Sequence, residues 1–326
     1  MFKIISLVFL IFSGVNGCDG KPKHSKKAST LSDPDSLKME HSVEADESFA
    51  YQLDEPDETF KLEDHLEEIS GLGMTDSGDF LYAVQDENGV LFRLDRKTGV
   101  VIEKTKFHKD GDYEGVEVVG DKVYVVKSTG TIYEVINVGM PNQMMNKYNY
   151  FLSKENDVEG LAYDRKNNRL LLACKGIPAT GESFEVIRMK KVIYAFDLDS
   201  LQLMPDPIYT IHLDHIRKYL EKHTSLKEYE KLVEFFSSGK ENLTFNPSAL
   251  AIHPITNQIY IVSSSGKVMI ILNEDGEVVH VEKLKKSIHA QPEGIAFDKD
   301  GTLYISNEAK GGVPKIHRFS YITKKP

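Results

Sequence analysis

The stretch Glu159-Gly-Leu-Ala-Tyr-Asp-Arg-Lys-Asn-Asn-Arg-Leu-Leu-Leu-Ala173 decides the fold. It holds an acid, a residue with no side chain, an apolar strand, a turn built of Asp and Asn, and a second apolar strand. Asp, Asn and Gly are what a tight hairpin demands, because they tolerate its backbone angles. The same unit recurs four more times. Ser70-Gly-Leu-Gly-Met is followed by Phe80-Leu-Tyr-Ala-Val, and Glu114-Gly-Val-Glu-Val by Lys122-Val-Tyr-Val-Val. Ser248-Ala-Leu-Ala-Ile is followed by Gln258-Ile-Tyr-Ile-Val, and Glu293-Gly-Ile-Ala-Phe by Thr302-Leu-Tyr-Ile-Ser. A third strand follows each pair, as in Val90–Asp95 and Lys267–Leu272.

The anchor residues 70, 114, 159, 248 and 293 lie 44, 45, 89 and 45 residues apart. A period near 45 made of short strands is a propeller blade: one small sheet, apolar on both faces, that must stack radially on its neighbours. The long interval has room for a sixth blade. Its excess is not strand-like, however. From residue 212 to 240, Leu213, Ile216 and Tyr219-Leu220, then Leu226, Tyr229, Leu232 and Phe236 recur at three-to-four spacing among charges, the pattern of amphipathic helix. The sequence therefore predicts an all-β, five-bladed β-propeller with a helical insertion at about 212–240 in the third blade; six blades is the alternative. The last unit has three strands after Glu293. A strand before the first blade, Phe49–Leu53 or Thr59–Leu62, is expected to supply the fourth and close the ring.

Composition agrees with one folded body. The chain has 326 residues, of which 40% are hydrophobic and 28% charged, which excludes wholesale disorder and fibrous classes. Its 50 acids against 40 bases exclude a duplex nucleic-acid binder, which needs a concentrated positive footprint. Residues 1–17 read as a secretory signal: Lys3, the apolar run Ile4–Phe12, then small residues before Cys18. An apolar run meeting Gly17-Cys18 resembles a bacterial lipoprotein signal, so Cys18 is expected to carry lipid. Residues 18–48 then form a disordered tether poor in large apolar residues. Its Lys21, Lys23, Lys26 and Lys27 suit anionic headgroups, a plain soluble linker being the alternative. Residues 49–326 form the propeller, expected as a monomer on the inner or outer membrane. Cys174, in the run Leu170–Cys174, reads as a buried core residue.

In a propeller the first strand of each blade lines the central channel, so the anchors Ser70, Glu114, Glu159, Ser248 and Glu293 converge on one mouth. Crowded glutamates resist ionisation unless a cation sits among them, and Ca2+ takes six to eight oxygens. The second strands end at the same mouth with Gln85-Asp86, Lys127-Ser128, Lys175, Ser264 and Asn307-Glu308. Lys127 and Lys175 offer the competing arrangement, an internal ring of salt bridges with neighbouring blades' glutamates.

The runs Ile69-Ser-Gly-Leu72, Asp112-Tyr-Glu-Gly-Val-Glu-Val-Val-Gly-Asp121, Val158-Glu-Gly-Leu-Ala-Tyr-Asp164, Gln291-Pro-Glu-Gly-Ile-Ala-Phe-Asp298 and Leu303-Tyr-Ile-Ser-Asn-Glu308 resemble the SdiA-regulated family of bacterial envelope propellers, which are distantly similar to NHL-repeat propellers. The resemblance covers about residues 65–320 and implies a calcium site, carried by motif onto Glu114, Glu159, Glu293 and Glu308.

Walker, Gly-x-Ser-x-Gly and His-Glu-x-x-His motifs and paired-cysteine zinc motifs do not occur. Asp86-Glu87-Asn88-Gly89 reads as a hairpin turn rather than a calcium loop. Three functions stay open. The first is a non-enzymatic, calcium-stabilised scaffold lipoprotein that binds a protein or small molecule at the mouth. The second is a calcium-dependent hydrolase, lactonase-like or phytase-like, with His253 or His289 as base, the competing reading of each being a satisfied surface or loop histidine. The third is a metal-free structural module.

Overall fold

Each of the five repeats folds into its own antiparallel sheet in the computed structural model, which describes residues 49–179, 181–237 and 242–322. The signal segment, Cys18 and the whole of the tether at 18–48 lie outside the described residues. The chain enters through β1 (Glu58–Lys61). The first blade is β2 (Ile69–Met74), β3 (Phe80–Gln85), β4 (Val90–Asp95) and β5 (Val101–Lys106). The second is β6 (Tyr113–Val119), β7 (Lys122–Lys127), β8 (Ile132–Ile136) and β9 (Met144–Tyr148). The third has β10 (Val158–Asp164), β11 (Arg169–Cys174), the short α1 (Phe184–Ile187) and β12 (Lys190–Asp197), and then an outer strand in two pieces, β13 (Gln202–Leu203) and β14 (Tyr209–His212). Both pieces pair with β12, and Pro205 and Pro207 stand between them. Proline cannot donate to a ladder, so the edge breaks there.

The helical insertion follows as α2 (Leu213–Lys222) and α3 (Tyr229–Phe235). Leu213, Ile216 and Leu220 bury one face of α2, each contributing on the order of 2 kcal/mol relative to exposure. That face and Leu232 of α3 join the apolar layer between the third and fourth blades. The fourth blade is β15 (Ala249–Ile252), β16 (Ile259–Ser263), β17 (Val268–Leu272) and β18 (Val278–Lys283). The fifth is β19 (Pro292–Phe297), β20 (Leu303–Asn307) and β21 (Lys315–Phe319), completed by β1, which pairs Phe60 with Ile316 and Glu58 with Arg318. The closing strand is thus the second of the two candidate segments. Phe49–Leu53 instead wedges Tyr51 and Leu53 into the layer between the fourth and fifth blades, where Tyr51 Oη donates to Gly301 O at 2.6 Å.

The inner strands touch in a closed circle, β2 to β6 to β10 to β15 to β19 and back to β2. This gives five blades and no sixth. The core is five separate apolar layers, one in each gap between adjacent blades. Each first hairpin turns on a left-handed residue: Gly78, Gly120, Asn168, Asn257 or Gly301. Those are the turn residues the repeat predicts. Cys174 is fully buried.

Candidate functional site

Four of the five inner strands begin with a β-bulge. The register skips Ser70, Glu114, Glu159 and Glu293 in turn, so each anchor is the extra residue of its ladder. A bulge re-aims the side chain it carries, which lifts these residues out of the ordinary strand alternation. The glycine after each anchor has a steric cause. A Cβ on Gly71 would stand 2.9 Å from Gly115 Cα, and one on Gly115 would stand 2.8 Å from Leu161 Cβ. Near the axis adjacent inner strands approach too closely for a side chain.

Serine and glutamate at the anchor do different work. Ser70 Oγ donates to Tyr113 O at 2.5 Å and Ser248 Oγ to Pro292 O at 2.7 Å, each tying its blade to the next. The glutamates join an acidic cluster instead. Glu159 Oε1 accepts from Lys175 Nζ at 2.6 Å, Glu293 bonds to Ser264 and Ser248, and Glu114 bonds to Asp112.

A second ring lies two residues before the anchors and was missed in the sequence reading. It consists of Glu68, Asp112, Asp157, Asn246 and Gln291, an oxygen-bearing side chain in every blade. Each faces the end of its own blade's second strand. Glu68 meets Asp86, Asp112 accepts from Ser128, and Asp157 lies 3.6 Å from Lys175. Asn246 donates to Ser265 Oγ at 3.5 Å, and Gln291 Nε2 donates to Glu308 Oε2 at 2.5 Å. In four blades the backbone repeats the link, as in Lys175 N to Asp157 O at 2.8 Å and Glu308 N to Gln291 O at 3.0 Å. The signal was available as a fixed offset of two residues from each anchor.

The expected ligands Glu114, Glu159, Glu293 and Glu308 therefore share one electrostatic cluster. Burial, then the neighbouring carboxylates, pushes Glu293 and Glu308 up to about 7 and Asp86 up to about 6. Glu114 and Glu159 are raised as well, by burial first; Lys175 offsets part of the rise on Glu159. Asp86 Oδ1 and Gln291 Oε1 are buried without a hydrogen-bond partner among the described residues. An all-oxygen donor set with unmet acceptors suits a hard cation in its chemistry. Among the described residues, no three acidic, His or Cys side chains already stand close enough to one point to grip an ion.

The lysines behave differently from the interblade ring considered above. Lys175 pairs with Glu159 of its own blade, because both sit on the β10–β11 hairpin pair. Lys127 lies over the Tyr113 ring, 5.5 Å from its centroid, and forms no ion pair among the described residues. Neither histidine serves this mouth. His253 and His289 are both fully buried, with Nε2 of the first on Tyr51 Oη at 2.8 Å and Nε2 of the second on Leu53 O at 2.9 Å. Both are held by the Phe49–Leu53 wedge, which sequence spacing alone did not place. Asp86–Gly89 is the β3–β4 hairpin connection, as its turn chemistry implied.

The family model described as SdiA-regulated matches residues 47–310. No curated protein matches the chain. Among solved structures, the chain is similar to glutaminyl cyclase of Myxococcus xanthus, at 13% identity and a TM-score of 0.51, over 83% of this chain and 97% of that one. It is also similar to the PQQ-bound aldose sugar dehydrogenase of Streptomyces coelicolor, at 12% identity and a TM-score of 0.46, over 82% of this chain and 97% of that one. At such identities the first likeness shows the fold alone.

Proposed function

The chain belongs to the SdiA-regulated family, and on that premise we propose that it is a calcium-binding propeller lipoprotein of the bacterial cell envelope, anchored through Cys18, that offers its acidic mouth to a protein or small-molecule ligand. The observation that carries the reading is the double ring of oxygen donors. Glu114, Glu159 and Glu293 rise from bulges, and the residues two positions earlier brace the second-strand ends, Glu308 and Asp86 among them. Raised carboxyls and unmet acceptors in one place store electrostatic cost that a divalent cation would relieve. Bound there, Ca2+ would join blades that otherwise repel one another at this end, which makes the role a stabilising one. Residues 18–48 would serve as the tether between membrane and propeller. The hydrolase reading has lost both histidines it relied on.

The test is a Ca2+ titration of the full chain in detergent, read by thermal melting. A saturable rise in Tm, abolished in Glu293→Gln, supports the site. A Tm indifferent to millimolar Ca2+ overturns it.

A further inference from the structure

A cavity lies at the mouth opposite the glutamates. It has a volume of about 720 Å3 and touches inner-strand ends from all five blades, from Met74 in the first to Phe297 in the fifth, so it sits on the axis. That volume is in the range of small-molecule sites. Three residues after the anchor the blades carry Gly73, Glu117, Ala162, Ala251 and Ala296, of which Glu117, Ala251 and Ala296 line the cavity. Four are small and one is an acid.

Glu117 is held rather than left to swing. Its Oε1 accepts from Val118 N at 2.9 Å and its Oε2 from Tyr163 N of the next blade at 3.1 Å. Each oxygen keeps a further lone pair. Three of the four cations on the lining are engaged, Arg165 with Asp76 at 2.5 Å, Arg169 with Asp164 at 2.8 Å, and Lys166 with Glu274, while Lys299 is exposed to solvent. Among the described residues, no lysine, arginine or histidine forms an ion pair with Glu117. Burial raises its carboxyl to about 7 against the pull of the two backbone donors, with Asp76 adding to the rise and Arg165 opposing it. A carboxylate on the wall of such a cavity, held by two backbone donors and with no ion pair among the described residues, suits a cation small enough to enter.

We propose that this cavity is a second ligand site, which takes a small primary amine with its ammonium group on Glu117 and its alkyl part against Ala251, Ala296 and Phe297. Ala251, Ile252, Ala296 and Phe297 lie together on the lining and supply apolar contact for an alkyl stem. The site is separate from the acidic mouth and does not depend on calcium there.

The experiment uses the full chain in detergent, with n-butylammonium and 1,4-diaminobutane as probes and 1-butanol and butyrate as the neutral and anionic controls. Binding is followed by calorimetry and by the carboxyl carbon resonance of Glu117 in protein labelled at glutamate. The expected result is binding of the two amines, a shift of the Glu117 resonance, affinity at least about ten-fold weaker in Glu117→Gln, and the same affinity with calcium or with chelator. Butanol binding as well as butylammonium overturns the proposal, as does unchanged amine affinity in the variant. If Glu117→Gln does not fold, the wild-type resonance decides: no shift at tens of millimolar amine overturns it.

Discussion

Lys175 Nζ donates to Glu159 Oε1 at 2.6 Å, so this glutamate draws its countercharge from the end of its own blade's second strand. Among the described residues Glu114, Glu293 and Glu308 have no lysine or arginine ion pair. The mouth is therefore electrostatically lopsided, neutralised at Glu159 and left acidic at Glu114, Glu293 and Glu308.

Replacing Lys175 by Met removes a cation that competes with any metal for Glu159. We expect apparent Ca2+ affinity to rise by about three- to ten-fold at low salt, since a partly exposed pair is screened and its release is worth little more. The Tm without calcium should fall, because Glu159 is then buried and unpaired. A Ca2+ titration of wild type and variant, read by calorimetry, checks both; weaker Ca2+ binding in the variant would contradict the competition.

Raised carboxyls have a defined pH signature. Glu293 and Glu308 stand near 7 in the fold, above the ordinary value of 4.5, so the folded state holds protons that the unfolded state has released between those limits. Their contribution to stability is full below about pH 4.5 and is lost as the pH rises through 7, a change on the order of 3 kcal/mol for a buried group such as Glu293. Urea unfolding in chelator should show a falling midpoint from pH 5 to pH 8, and saturating Ca2+ should flatten it. A midpoint that climbs over this range would refute the assignment.

Gly115 and Gly160 should differ in how they tolerate alanine. At Gly115 the new Cβ meets Leu161 Cβ at 2.8 Å and Leu161 N at 3.0 Å, atoms fixed to the backbone. At Gly160 the tightest clash is with Leu250 Cδ2 at 2.5 Å, the far end of a side chain that can rotate away. Gly115→Ala should cost about 2–3 kcal/mol and Gly160→Ala about 1 kcal/mol, measured by urea unfolding.

Closure of the ring rests on a short strand. Phe60 of β1 is buried between the fifth and first blades, opposite Ile316. Phe60→Ala should cost about 3–4 kcal/mol and speed unfolding. Hydrogen exchange along β21 should rise in step, since β1 covers that edge.

The blade register was legible because it depends on local rules. The turn residues Asn168 and Gly301 announce hairpins, the β-branched and aromatic run in Lys122–Lys127 announces a strand, and the spacing of Leu213, Ile216 and Leu220 announces a helix against the sheets. The four glutamates were legible because they repeat in register with the blades. Asp112 and Gln291 were hidden in plain view at a constant offset. His253 and His289 were misplaced because their environment is made by Tyr51 and Leu53, more than 200 residues away in the chain. No local pattern encodes that meeting. The partner of Lys175 was equally out of reach, since side-chain direction at the end of a strand depends on the bulge beside it.

By itself the sequence determined the blade repeat, the helical insertion, the acidic mouth and the family, because each is written as a periodic or contiguous pattern. Only the tertiary structure decided that the ring closes at five blades, which strand closes it, which glutamate is neutralised, and that a cavity lined by Glu117 opens at the far mouth. Those outcomes depend on distances between residues that no repeat relates. They are settled when five sheets close on one axis and the side chains nearest to it compete for the same few ångströms.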